Sequence, residues 1–275
     1  MKLWMDIQRD LEGVMYDHER ILDAWREGGV DGVVFGPLVF GQQKLTQNAQ
    51  ALPSEGPVAP TYDPNPAVYA RLGVEAPAPP EHKLPEKRAL LEQTMSATKD
   101  RGMQVYIMYA DGGAGSGGPG HYLHDPQTLV SRVARMVDTL EHYPMADGVV
   151  MDGPEWGYEM APHHMDHRSY FFNDLPESVA PMAKDLGYDY AAMVAAKDRL
   201  LALFHDLDPK RIRSNARGGL VGAHRMLGAD GDLMAWLSFR VDSLTRYFRG
   251  VREGVAAHLD RPVRMGCGPR SAAFA

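Results

Sequence analysis

The chain has one cysteine, Cys267, in 275 residues. No internal disulfide can form, which favours a reducing compartment. No apolar run reaches the roughly 18 residues that a membrane helix requires. The opening Met1-Lys2-Leu3-Trp4-Met5-Asp6 has no apolar stretch behind Lys2 to serve as a signal peptide. A cytoplasmic protein with no membrane partner is therefore expected. Basic residues are also in deficit: 29 Lys and Arg face 36 Asp and Glu, a formal charge of −7. Phosphate binding is driven by clustered cations, so a general nucleic-acid partner is not expected.

Several catalytic signatures are missing too. There is no Gly-x-Ser-x-Gly elbow of the kind serine hydrolases use, and no His-Glu-x-x-His. The glycine-rich stretch Asp111 to Gly120 lacks the Lys-Ser/Thr of a phosphate-binding loop. No repeat of short period stands out.

What is present is an ordinary globular composition, with 44% hydrophobic and 24% charged residues, in a chain long enough for one large domain and a substantial core. Apolar runs suited to strands buried on both faces of a parallel sheet occur at about 2–6, 30–35, 104–109, 148–152 and 262–266. Helical patterns alternate with them: 17–27, stopped by Gly28-Gly29; 85–99, with Pro85 in the first turn and Gly102 at the end; one opening at Asp125-Pro126; Tyr190 to His205; and Leu233 to His258. This alternation predicts an α/β fold, a (β/α)8 TIM-barrel-like domain over 1–275. Long loops are expected at about 36–82, where Pro and Gly recur and periodicity is lost, and at 111–125; a helical insertion is expected at about 160–230. Only five or six strands are recognisable. The barrel is accordingly expected to be incomplete at its C-terminus, and an open sheet edge is expected to favour a homo-oligomer.

The segment Asp147-Gly-Val-Val-Met-Asp152-Gly-Pro-Glu155-Trp156-Gly-Tyr158-Glu159 passes from strand to loop. Acids at the exits of parallel barrel strands face the mouth of the site. Glycosidic cleavage needs two carboxyl groups, one protonated and one ionised. Asp152 and Glu155 are the candidate pair. Glu155, beside apolar Trp156, is suited to be the acid, and Asp152 to remain ionised. Trp156 and Tyr158 offer flat faces to sugar C–H surfaces. Asp6 and Asp111, each at the end of an apolar run, are candidate substrate-binding residues at the same mouth, as is Arg270 past the last strand. A charged, solvated loop with Trp156 and Tyr158 in the core is the plain structural alternative.

Histidines offer a rival chemistry. His163 and His167, spaced i, i+4 with Asp166 between them, could face one metal on a helix. Hydrogen-bonding surface histidines explain them more simply. No cofactor is expected.

Asp147-Gly-Val-Val-Met-Asp152 resembles the Asp-Gly-x-x-x-Asp strand of bacterial glycoside-hydrolase-like (β/α)8 barrels, a broad group related to chitinase-type and amylase-type enzymes. Trp236-Leu-Ser-Phe-Arg240, Leu244-Thr-Arg-Tyr-Phe248 and the Val263–Pro269 strand resemble the helix and next strand of the same group. The likeness covers about a third of the chain. It implies a sugar-processing barrel acting on an oligo- or polysaccharide. It also departs from chitinases, which would carry Asp at position 150 and the acid at position 154, where this chain has Val150 and Pro154. The substrate-assisted mechanism is thus not implied. A metal-dependent hydrolase and a non-catalytic carbohydrate-binding barrel are the alternatives.

Overall fold

A computed structural model describes residues 2–7, 11–36, 62–79, 85–110, 123–152, 175–206 and 230–267. The chain divides into two compact units. The first comprises 1–112, 127–153 and 250–273, and the second 113–126, 154–249 and 274–275.

The first unit holds a five-stranded parallel sheet: β1 (Trp4–Ile7), β2 (Gly32–Phe35), β3 (Gln104–Ala110), β4 (Gly148–Asp152) and β5 (Arg264–Cys267). The strands lie in sequence order, β1-β2-β3-β4-β5, each parallel to its neighbours. These are the strands the apolar runs predict. Among the described residues the sheet is open. It has no reversal of strand order, the feature that creates the ligand crevice of doubly wound sheets. With right-handed crossovers, steps taken in one direction place the connecting helices on one face.

The pleat separates two side-chain sets. Ile7, Val33, Phe35, Val105, Ile107, Tyr109, Val149 and Met151 form one face, and all are buried. On the other, Val34, Tyr106 and Met108 form a buried cluster with Trp4 and Val150 packed against it. Trp4 meets Tyr106 edge to face at 4.3 Å between centroids, a favourable arrangement of ring quadrupoles.

The helices of this unit are α1 (Leu11–Tyr16), α2 (His18–Glu27), α3 (Pro66–Leu72), α4 (Pro85–Asp100) and most of α5 (Pro126–His142). Arg101 ties α2 to the end of α4, its guanidinium donating to Asp23 at 2.7 Å and Glu19 at 2.5 Å. Helix α3 corrects the expectation of an unstructured 36–82 loop. Asn65 Oδ1 accepts from the Ala67 N–H at 3.1 Å, Pro66 occupies the first turn, and Gly73, at φ 71°, closes the helix in the left-handed region. The short cap-to-cap span had hidden under the surrounding prolines. Residues 37–61, and the 111–122 part of the other expected loop, lie outside the described residues.

The second unit contains a 3-10 turn (Glu177–Val179), α6 (Ala180–Asp185) and α7 (Tyr190–Asp206). The long helix α8 (Gly231–His258) passes from the second unit into the first at Gly250. Its last turns pack closely on α5 because they carry glycine. A Cβ at Gly254 would lie 2.7 Å from Val133 Cγ2, and one at Gly250 would lie 3.0 Å from Leu129 Cδ2. No helix among the described residues is long and apolar enough to cross a membrane.

Candidate active site

The two ends of the sheet differ in chemistry. At the strand entries the acids bond backbone. Asp147, immediately before β4, takes the Val105 N–H on Oδ2 at 2.8 Å and Lys99 Nζ on Oδ1 at 2.6 Å. Its own N–H donates to the Val105 carbonyl at 2.7 Å, and its carbonyl accepts from the Arg264 N–H at 2.9 Å. One residue therefore fastens β4 to both neighbours. Asp31, immediately before β2, does the same. Its Oδ2 accepts from the Leu3 N–H at 2.8 Å, its N–H donates to the Leu3 carbonyl, and its carbonyl accepts from Gln104 N–H.

The sequence behind this device is a repeated tetrapeptide, Asp31-Gly-Val-Val34 and Asp147-Gly-Val-Val150. The glycine is required by close approach. A Cβ at Gly148 would lie 2.0 Å from the Arg264 carbonyl oxygen, and one at Gly32 would lie 3.0 Å from that of Gln104. Asp147 is therefore a strand-start latch at the opposite end from Asp152. The first acid of the Asp-Gly-x-x-x-Asp pattern has a structural explanation that owes nothing to catalysis. The paired tetrapeptides are the signal that could have revealed this, but at a separation of 116 residues (147 minus 31) they escape a search for short periods.

The entry end is further sealed around the last turn of α5. Arg261 donates to the carbonyl of Ala146 at 2.6 Å and to that of Leu140 at 3.1 Å, the latter an oxygen that the helix end leaves open. Burial pushes its guanidinium below the usual range, and Asp147 opposes that shift. Fully buried Asp138 accepts from the Asn65 N–H and from the Tyr69 hydroxyl, both at 3.1 Å, which clamps α3 onto α5. Tyr62 OH and Thr139 Oγ1 share a hydrogen bond of 2.6 Å beside them. Burial raises the hydroxyls of Tyr62, Tyr69 and Tyr143 above the ordinary tyrosine range, and the Asp138 charge adds to the shift at Tyr62 and Tyr69.

The exit end carries the candidate chemistry. Asp152 is the last residue of β4, paired in register with Ala110 at the end of β3. Both follow largely buried runs that fix the strand, with Met151 fully buried and Tyr109 nearly so. The duplicated template sharpens its meaning. After Asp-Gly-Val-Val and one apolar residue, β2 continues into Gly36 whereas β4 continues into Asp152. β2 ends at Phe35, one position short of this place, so the shared tetrapeptide forms a strand without an acid after it.

Asp6 is exposed, and the register does not bring it beside Asp152. It is level with Val34, Tyr106 and Gly148. It is thus three strands away and four positions short of Asp152, about 13 Å along the strand direction at ~3.3 Å per residue. Asp111, Glu155, Trp156, Tyr158 and Arg270 lie outside the described residues, as do His163, Asp166 and His167. Among the described residues no group of three or more His, Cys, Asp or Glu could hold a metal ion. No protein-family model matches the chain, and no curated protein matches it.

Proposed function

We propose that the protein hydrolyses glycosidic bonds of an oligo- or polysaccharide, with Asp152 and Glu155 as its carboxylate pair and the sheet as an arc of a (β/α)8-type barrel. The observation that carries this reading is the position of Asp152. It stands at the exit of an interior strand in a parallel sheet without strand-order reversal, at the place where the sister strand β2 is followed by Gly36. In (β/α)8 barrels, ligand chemistry gathers at the strand exits. Glu155, three residues on, would protonate the departing oxygen, and ionised Asp152 would act as nucleophile or stabilise the oxocarbenium-like transition state. Trp156 and Tyr158 would supply stacking surfaces for the sugar.

A panel of p-nitrophenyl glycosides tests this. Wild type should release nitrophenolate from at least one member. Glu155→Gln should lose about 10²–10⁴-fold on a glycoside with a poor leaving group and much less on the nitrophenyl substrate. Absence of turnover across α- and β-linked hexosides, pentosides and N-acetylhexosaminides would count against the assignment.

A further inference from the structure

The second unit holds a pairing that the glycosidase reading does not use. His124 Nε2 lies 2.9 Å from Ser178 Oγ, across 54 positions of sequence. We propose that Ser178 and His124 form a nucleophile–base pair that attacks small carboxylic esters.

The two residues are presented as such a pair requires. Ser178 is exposed, so a substrate can reach its oxygen. It is nonetheless held in place: it sits in the 3-10 turn between Leu175 and Val179, at 5% and 0% exposure, and the Val179 N–H closes the turn on the Pro176 carbonyl at 2.9 Å. The Tyr190 hydroxyl donates to the Leu175 carbonyl at 2.6 Å, pinning the turn to α7. Nucleophiles held this way react from a fixed geometry without first paying for order. On the imidazole, Nδ1 is buried while Nε2 meets the hydroxyl. In the Nδ1–H tautomer, Nε2 is the acceptor and Ser178 the donor, the direction that proton abstraction needs. Burial lowers the pKa of His124, which keeps the ring neutral at rest and so able to accept a proton, while the neighbouring Asp125 charge favours the imidazolium that forms on proton transfer. The turn is not a strand-to-helix elbow, which is why a search for Gly-x-Ser-x-Gly passes over it.

In the reaction, Ser178 Oγ bonds to the ester carbonyl carbon as its proton moves to His124 Nε2. The carbon–oxygen bond to the alcohol then breaks, and the alcohol leaves with the proton from His124. Water attacks the resulting acyl-serine, giving up a proton to His124. The carboxylic acid departs and Ser178 regains its proton.

The test uses the whole chain and a fluorophosphonate probe, in which Oγ displaces fluoride from phosphorus to leave a stable adduct that peptide mass spectrometry locates. The expected result is an adduct on Ser178, absent in Ser178→Ala. Labelling should be slower by about 10²–10⁴-fold in His124→Gln, whose amide can still hydrogen-bond the hydroxyl but cannot take its proton. A thermal melt of each variant separates loss of the base from loss of the fold, as Ser178 is exposed and His124 only partly buried. Absence of an adduct on Ser178 in wild type, or labelling of folded His124→Gln at the wild-type rate, would overturn the proposal. Neither result bears on Asp152 and Glu155, which the glycoside panel addresses separately.

Discussion

At the entries of the sheet, carboxylates are consumed by backbone. Asp31 and Asp147 each accept a neighbouring strand's N–H, and Asp138 is fully buried under two donors. At the exits, Asp152 ends β4, whereas its sister β2 ends at Phe35 and is followed by Gly36. The same side-chain chemistry thus serves stability at one end and, on our reading, turnover at the other. In barrel folds this division is general. Here the difference can be read across β4, from Asp147 just before it to Asp152 at its end.

If that division is right, entry-end substitutions should change stability and spare chemistry. Gly148→Ala should have the largest effect. A Cβ 2.0 Å from the Arg264 carbonyl oxygen meets backbone, which cannot swing aside, so a loss of about 3 kcal/mol or more is expected in denaturant unfolding. Gly32→Ala should cost clearly less, since its contact at 3.0 Å needs only a few tenths of an ångström of give. Equal losses at the two glycines would break the comparison between β2 and β4.

Gly254→Val should follow at about 1–3 kcal/mol, through overpacking against Val133, with the melt lowered and the far-ultraviolet spectrum retained. Asp147→Ala should cost about 1–3 kcal/mol, because it leaves the Val105 N–H without its carboxylate acceptor. Much of the Asp147–Lys99 pairing is solvated and adds little to that figure.

The α3–α5 clamp should give the mildest effect, seen in alkali. Tyr62, Tyr69 and Tyr143 have hydroxyls raised above their unfolded value of about 10, so the fold favours their neutral forms. Their contribution is fully present below pH ~10 and is lost as pH rises through that value toward the folded pKa. Melting temperature should hold steady to about pH 10 and then fall, and Tyr69→Phe should flatten part of that fall. A melt unchanged to pH 11.5 would contradict the burial of these hydroxyls.

Much of the sheet was legible in the sequence for a local reason. Each strand is a short apolar run, and glycines stop the flanking helices, as Gly29 at φ 82° and Gly102 at φ 72° show. What was not legible depends on partners distant in sequence. Asp147 looks like one more acid in an acidic segment until β3 and β5 are placed beside it. Asp6 ends its apolar run as Asp152 does, yet parallel register leaves it four positions lower, and no local pattern encodes that stagger. Helix α3 is only seven residues long, too short for periodicity, and its caps Asn65 and Gly73 were its sole signal. His124 and Ser178 meet only through tertiary folding.

The most direct test of the account pairs two substitutions at the two ends of β4, Asp147→Asn and Asp152→Asn, measured by unfolding free energy and by turnover of whichever aryl glycoside the wild type cleaves. We predict that Asp147→Asn lowers stability and leaves kcat of the folded enzyme close to wild type. Asp152→Asn should keep wild-type stability and lose on the order of 10²-fold or more in kcat, because the charge facing the developing oxocarbenium is gone. Full turnover in Asp152→Asn, or loss of kcat in a well-folded Asp147→Asn, would contradict the division of labour between the two ends of β4.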